Sequence, residues 1–546
     1  MDTTLNTPQK KIDGIKILHL DAKGYGPEGK HTRDEWRGLC LHYLLAGKDD
    51  FESWQGSWFH LIDETSERVS FEYELTYDDG NIQRALLSYH SGYSFDYAGV
   101  LFSNSLNCDN FVFKHSVLFS GAKFCEDTFF KNAYFKKHAH FRYTNFAKRA
   151  VFNASIFAND TYFMDALFSD EALFEECRFI EKDAIANYIN VRFEKIANFK
   201  HVEFHGRAEF SRTIFFGYTY FWYVNCHSYI NFDNTIFYKM SYFNNANFLE
   251  EVYFKNANFY KHVFFFETIF QKQCRFDNDF GEKHLGTKFH REANFEKATF
   301  NNIGYFNNVQ FLGEIPSFLG VDNATTRFEF SDEKYFSKLD VSEDAVKKLG
   351  LLKRLADEHG QIDQALNFNA LELRAKAKQP RAGWGVKLVT ALYEHVSDFG
   401  RSFFRPFAIY ASILFLTFLV ALEHSAYNAP RDCAGHLWWQ TKIEWKENPL
   451  CQSPAVRDMS FEDKKEDAKK LHLSGIRAAS EYTLYRAAGV LDFSDNGKAT
   501  DAVARRLFGQ SIEPWWMRIW GVFKAIASTA LLFLAALGLR NKYRIK

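Results

Sequence analysis

From Tyr97 to Phe311 an aromatic side chain returns after five residues, then six, then five again, and almost every one is phenylalanine. The first run is Tyr97, Phe102, Cys108, Phe113, Phe119, Phe124, Phe130 and onward to Phe179. After a slip near Asp183 to Asn190 the rhythm resumes at Phe193 and holds to Phe276. After a looser stretch, Gly281 to Lys288, it closes with Phe289, Phe295, Phe300, Phe306 and Phe311. A step of five or six cannot keep one face of a helix with 3.6 residues per turn, so an α-helix is excluded. The repeat also accounts for a composition of 60 Phe against 9 Pro, far more rings than an ordinary core requires.

Two residues before most of these positions stands something small or β-branched: Ala122, Thr128, Ala133, Ala139, Thr144, Ala150, Ser155, Thr161, Ala166, Ala172, Cys177. Residues two apart in an extended segment face the same side, so each unit sends one small residue and one ring inward. Each unit is then a short strand and a turn, and four units close a square coil of about 22 residues. Stacked at about 4.8 Å, roughly ten such coils make a rod on the order of 45 Å long. Burial of each ring contributes about 1.5 to 3 kcal/mol, which makes the Phe columns the main stabilising term.

Tandem A-x-F units of this kind resemble the pentapeptide-repeat proteins, in a phenylalanine-rich branch with an extra residue at alternate corners. The resemblance covers about 95–312 and implies a right-handed quadrilateral β-helix. Some members of that family inhibit DNA topoisomerases through an acidic, duplex-like surface. This chain has a formal net charge of -1 and a rod with about as many acidic as basic residues. It therefore offers no field for nucleic acid or for mimicry of it.

A stacked solenoid needs caps at its raw edges. Residues 1–94 are expected to form an α+β cap, with a helix from Thr32 to Leu45, Trp54 and Trp58 as core anchors, and strands near Val69 to Thr76. Residues 313–400 are expected to be a linker and helical hairpin. Ser342 is its N-cap, with Glu343 and Asp344 in the first turn. Val346, Leu349, Leu352 and Leu355 form an apolar stripe, Gly360 is the stop, and a second helix runs about Gln361 to Lys378 into a basic segment. Membrane proteins of the pentapeptide-repeat family often carry a similar hairpin.

Residues 401–546 read as a membrane module. Ser402 to Leu422 and Ile519 to Leu539 are each long enough to cross a hydrocarbon core of about 30 Å. A pair of buried core helices is the competing reading, set against a cluster of Trp438, Trp439, Trp515, Trp516 and Trp520 near one pair of ends. Arg401 and Arg405 precede the first span, and Arg540, Lys542, Arg544 and Lys546 follow the second. The positive-inside rule then puts both termini and the rod in the cytoplasm. The terminal run LGLRNKYRIK resembles membrane-anchored pentapeptide-repeat proteins of bacteria, which implies an inner-membrane location. The loop 424–517 is expected outside, where Cys433 and Cys451 can form a disulfide. The six other cysteines are expected as core fillers, and His115, His138, His140 and His262 as solvated surface.

No catalytic, cofactor or metal motif is present, so the expected roles are non-enzymatic. One is a membrane-tethered scaffold or sensor that binds an unknown cytosolic protein. The other is an oligomeric pore. Some pentapeptide-repeat proteins carry a two-helix channel module with a re-entrant pore helix, and Ala478 to Asp492 resembles a degraded copy of it without a TVGYG-like filter. Lys524 lies inside the second span, and Glu423 ends the first at the same level. Lys524 is expected either to snorkel to the outer interface or to pair with Glu423 as a membrane charge pair.

Overall fold

The computed structural model describes residues 12–20, 31–58, 68–77, 82–90, 94–277, 286–321, 328–330, 342–423, 476–477, 479–484 and 515–543. The chain divides into two compact units, Met1–Gln379 and Pro380–Lys546.

In the first unit, strands of two or three residues stack into four parallel sheets of 11, 10, 9 and 9 strands. Each strand pairs with the one a full coil later, as Phe102 does with Phe124 and Tyr134 with Ile156. The chain visits the four faces in turn, starting at Phe95–Asp96, Leu101–Phe102, Leu106–Asn107 and Val112–Phe113. This is a square β-solenoid of about ten coils. Where Phe168 pairs with Phe193 the coil is longer by a short insertion, and where Phe270 pairs with Phe300 by a longer one. Both coincide with the interruptions in the repeat.

The alternation of steps is an alternation of corners. Each five-residue step holds one residue at positive φ two places after a ring: Asn110, Gly121, Asn132, Tyr143, Ala154 and so on to Asn308. The six-residue corners hold none, so the added residue lets the chain turn without a left-handed backbone. Asparagine recurs at the left-handed corners, and none of their occupants is β-branched, as the crowding of Cβ against the carbonyl requires.

Inside, the rings form four columns. Phe124 lies 4.7 Å from Phe102 and 5.0 Å from Phe146, all nearly parallel. Between columns the contacts are edge to face, as for Phe152 with Phe163 at 5.4 Å and 85°. The coil spacing imposes parallel stacking, and the T-shaped contacts across the core set positive ring edges against negative faces, each pair contributing about 0.5 to 1.5 kcal/mol beyond its burial. The small residues are buried beside the rings. Several of them also satisfy backbone: the Thr144 hydroxyl donates to the Phe119 carbonyl at 2.9 Å, and that of Thr268 to Phe243 at 2.7 Å. Cys108, Cys177, Cys226 and Cys274 are buried core fillers, as is Cys40 in the cap, while Cys125 is half-buried.

Two ring positions lie outside the regular count. Tyr188 occupies the slip, stacked 4.9 Å from Phe163 and 4.7 Å from Phe210. Phe318 continues a column past Phe311, 4.9 Å from Phe295, and Phe328–Phe330 adds a last strand beside Gly304–Phe306.

Helices α1 (Arg33–Ala46) and α2 (Lys48–Trp58) close the first coil. α1 opens with a capping box between Thr32 and Glu35. Trp36, Cys40, Leu44 and Phe51 are buried, with Phe51 against Phe95, Phe111 and Phe113. Trp54 is partly buried, stacked on Tyr43 at 4.6 Å; the side chain of Trp58 lies outside the described residues. Polar side chains complete the exposed backbone edge. Trp36 Nε1 donates to the Ser94 carbonyl, an Arg37 guanidinium nitrogen to the Ala98 carbonyl, and Gln55 Nε2 to the Val112 carbonyl at 2.6 Å. Gln55 also accepts from the Lys114 amide, and Glu52 from the Val112 amide. Strands β1 (Ile12–Leu20), β2 (Arg68–Tyr77) and β3 (Ile82–His90) form a separate antiparallel sheet in that order.

Helices α3 (Glu343–Glu358) and α4 (Ile362–Lys378) form the hairpin, with Ser342 capping α3 and Gly360 at φ +69° in the turn. Leu349, Leu352, Leu355 and Phe368 belong to the same core as the rod, so the hairpin caps the far end of the solenoid. Lys348 fastens it, bonded to Glu292 of the rod and to Asp344. Burial alone depresses the Lys348 ammonium, but the two carboxylates outweigh burial and raise it above the ordinary lysine value.

The second unit contains α5 (Trp384–Ser397), α6 (Phe404–Glu423) and α7 (Trp515–Tyr543). α5 stands where the sequence reading had only a basic segment. Residues 476–477 and 479–484 are helical.

Candidate functional site

The interior of the rod is filled by rings, so ligands and partners must meet the outside or the apolar helices. On the outside, aromatic doublets at the ring positions place a second ring facing outward. Phe216, Tyr238, Tyr260 and His290 form one ladder, with centroids 4.9, 5.0 and 4.5 Å apart. Tyr220, Tyr242 and Phe264 form another at 5.3 and 5.2 Å, with Trp222 edge-on to the first two and the Lys200 ammonium over Tyr220 and Trp222. The two ladders flank the corner that carries Tyr218, and Tyr218, Tyr223 and Tyr238 are all exposed. Partial burial raises the Tyr242 and Tyr260 phenols above the ordinary tyrosine value, so these two hydroxyls stay neutral around neutral pH. Sequence reasoning passed over these residues because the inward ring beside each had already accounted for the aromatic content. The doublets Phe215–Phe216, Phe237–Tyr238 and Phe259–Tyr260 were the signal.

The histidines divide. His140 is buried, stacked 5.0 Å from Tyr162, which corrects its reading as solvated surface. It follows the inward Ala139 in a strand, and the next coil's ring covers it. Burial holds His140 well below the usual imidazole range and pushes His115 down to about 4, aided there by Lys137 and Lys114. Among the described residues no group of three or more His, Cys, Asp or Glu is placed to hold a metal ion.

A family model for pentapeptide repeats matches residues 221–269 in nine copies. The rod is a pentapeptide-repeat solenoid. Neither a curated protein nor a solved structure matches the chain. The matched repeats include Trp222, Tyr238, Tyr242, Tyr260 and Phe264, so the middle of both aromatic ladders lies on them.

In the second unit, Phe404–Leu422 and Val522–Arg540 are long and apolar enough to cross a membrane, and only 17% and 29% of these segments is buried. Such exposure does not suit the core helices of a soluble protein. The two helices run antiparallel. A Cβ at Gly538 would lie 2.9 Å from the backbone of Ser402 and Phe403, and Trp520 Nε1 donates to Thr417 Oγ1 at 3.3 Å. Lys524, Ser528, Leu531, Ala535 and Gly538 share the buried face of α7. Lys524 is 1% exposed. The side chain of Glu423 lies outside the described residues, as do Cys433 and Cys451. Within the segment that resembles a pore helix, Ala479, Tyr482 and Thr483 are buried.

Proposed function

We propose that this chain is a membrane-tethered scaffold or sensor whose cytoplasmic β-helix binds a protein partner through its outer aromatic ladders. The observation that carries this reading is the ladder pair itself. Partly exposed Tyr and Trp with adjacent Lys and Arg, fixed on a rigid rod, have the composition of protein-binding hot spots and bring little entropy to lose. The tether is α6 and α7. The positive-inside rule, applied to Arg401, Arg405 and Arg540 at one end of the pair, supports a two-pass inner-membrane topology with the termini and rod in the cytoplasm. Cys433 and Cys451 then lie outside as a disulfide. Labelling of both as free thiols in intact cells would count against that topology.

A photo-crosslinker placed at Tyr218 or Tyr238 in living cells should capture a discrete partner, and the product should vanish when Tyr220 and Tyr242 are changed to Ser. The same crosslinker at Glu250, on the opposite corner of the square, should capture none. Equal labelling from both corners would sink the reading. Carbonate-resistant membrane association should be lost in chains lacking 404–423 and 515–543.

A second reading, an oligomeric pore gated by the rod, is supported by Lys524, Ser528 and Thr483 buried among otherwise apolar helices. It requires several chains, because two helices cannot enclose a channel.

A further inference from the structure

Helix α5 is too short to cross a bilayer. At 1.5 Å per residue its 14 residues span about 21 Å. Yet it is not a soluble helix either. Trp384, Leu388, Val389 and Leu392 are 80%, 49%, 65% and 55% exposed, while Thr390 and Ser397 form its buried side. Trp384, Leu388 and Leu392 recur at helical spacing with Val389 beside them, so these four make one stripe, while Val386, also exposed, lies off it. The corner that follows is firmly built. Asp398, Phe399 and Gly400 all have left-handed backbone, at φ 51°, 56° and 80°. Phe399 is fully buried and edge-on to Tyr393 at 5.5 Å, and the Ser397 hydroxyl accepts the Gly400 amide. Arg401 bonds Asp398 at 2.7 Å. This corner holds α5 against both α6 and α7 and turns its apolar stripe away from them.

We propose that α5 lies in the headgroup layer of an anionic bilayer, its stripe sunk toward the acyl chains. The inference rests on the reading of α6 and α7 as spans, and continuity with them argues for lipid: α5 ends at Ser397, only seven residues before Phe404 becomes the first turn of α6. Charge argues for anionic lipid. Arg381 and Lys387 flank the stripe, and the contact of Gly538 with Ser402 and Phe403 brings Arg540 to the end of the pair that carries Arg401 and Arg405. The acidic groups in the same region are Glu394 and Asp398, and Asp398 is engaged by Arg401 and Arg405. A tryptophan at the start of the stripe, aliphatic residues along it and cations at its margin are what an interfacial helix presents to lipid. The consequence is mechanical: a helix pinned in the surface plane fixes the level at which the chain enters the membrane.

The test uses the full chain with Cys125, Cys433 and Cys451 replaced by Ser, the other five cysteines being buried. Single fluorescent labels are placed by Leu388→Cys, Leu392→Cys, Thr390→Cys and, as the span control, Leu416→Cys. Vesicles are phosphatidylcholine alone or with phosphatidylglycerol. Lipid-borne quenchers at shallow depth should quench 388 and 392 but not 390, more strongly with phosphatidylglycerol, and deep quenchers should reach 416 in both lipids. Arg381→Glu with Lys387→Glu should lower the docked population at least about tenfold, since each basic residue near an anionic surface changes it roughly fivefold. If 416 is in lipid while 388 and 392 are open to aqueous iodide, the inference fails and the span reading stands. Protection of 388 from both quenchers, rising with protein density, would assign the stripe to a second copy of the chain and overturn the inference. Aqueous exposure of 416 would overturn both.

Discussion

The ring of Tyr188 lies within 2° of parallel to that of Phe210, 4.7 Å away, so a tyrosine stands mid-column between two phenylalanines, Phe163 and Phe210. Its hydroxyl is buried and has no hydrogen-bond partner among the described residues. Burial raises the phenol well above its ordinary value, so it stays neutral. An unsatisfied buried hydroxyl costs about 1 to 3 kcal/mol, and Phe fills the same ring volume. Tyr188→Phe should therefore raise the melting temperature measured by scanning fluorimetry. A decrease would show that the hydroxyl is satisfied. Phe243→Asp is the counterpart: this ring is stacked 5.0 Å from both Phe221 and Phe265, and a carboxylate there should unfold several coils.

Gln55 imitates a neighbouring strand. Its amide donates to Val112 and accepts from Lys114 with the spacing that another coil would supply. Gln55→Leu keeps the packing but leaves a carbonyl and an amide at the edge without those bonds. Stability should drop by about 1 to 3 kcal/mol, and edge-to-edge association should appear in light scattering. A monomeric, equally stable variant would mean that the first coil needs no side-chain cap.

The square coil, its four ring columns and the positions of its two interruptions were legible in the sequence, because a solenoid repeats every contact one coil later and so turns a three-dimensional core into a one-dimensional period. Tyr188 escaped because the insertion before it breaks the count from Phe179, although it stands one five-residue step before Phe193. Phe318 and Phe328 escaped for the same reason at the other end. The edge bonds of Trp36, Arg37 and Gln55 join helices to strands about 60 residues away with no period to announce them. The face of α5 escaped because its basic flanks dominated the local pattern. The outward ladders were visible as doublets, but only the structure aligned them into a surface.

Acid should weaken the rod before its carboxylates titrate. His115 is pushed down to about 4 and His140 is well below the usual range, chiefly by burial, whereas in the unfolded chain both bind a proton near pH 6.5. Between those limits the unfolded state holds more protons, so stability rises with pH and falls as pH drops from about 6.5 toward 4. Melting temperatures taken across that window should show the slope, and His140→Phe should flatten it. An unchanged slope in a double variant with His115→Gln would place the acid sensitivity elsewhere.

Lys524 separates tether from pore. Its side chain is enclosed on the face of α7 that also carries Ser528 and Gly538, where the helix meets α6. If the two helices only hold the rod at the membrane, the charge contributes nothing to function and its insertion carries a cost of about 2.5 to 3.5 kcal/mol on translocon scales. Lys524→Leu should then leave membrane association, partner crosslinking at Tyr218 and oligomeric state unchanged, with slightly better insertion. Purified protein in liposomes should pass no ions, and a monomer should be counted in detergent. If the helices line a pore, several chains must assemble with Lys524 turned toward water. Ion flux abolished in a chain lacking Trp515–Tyr543 and altered by Lys524→Glu would establish the pore and displace the tether. The exposed apolar sides of both helices and the absence of a TVGYG-like run favour the tether, because two helices long and apolar enough to cross a membrane already meet the physical demands of an anchor.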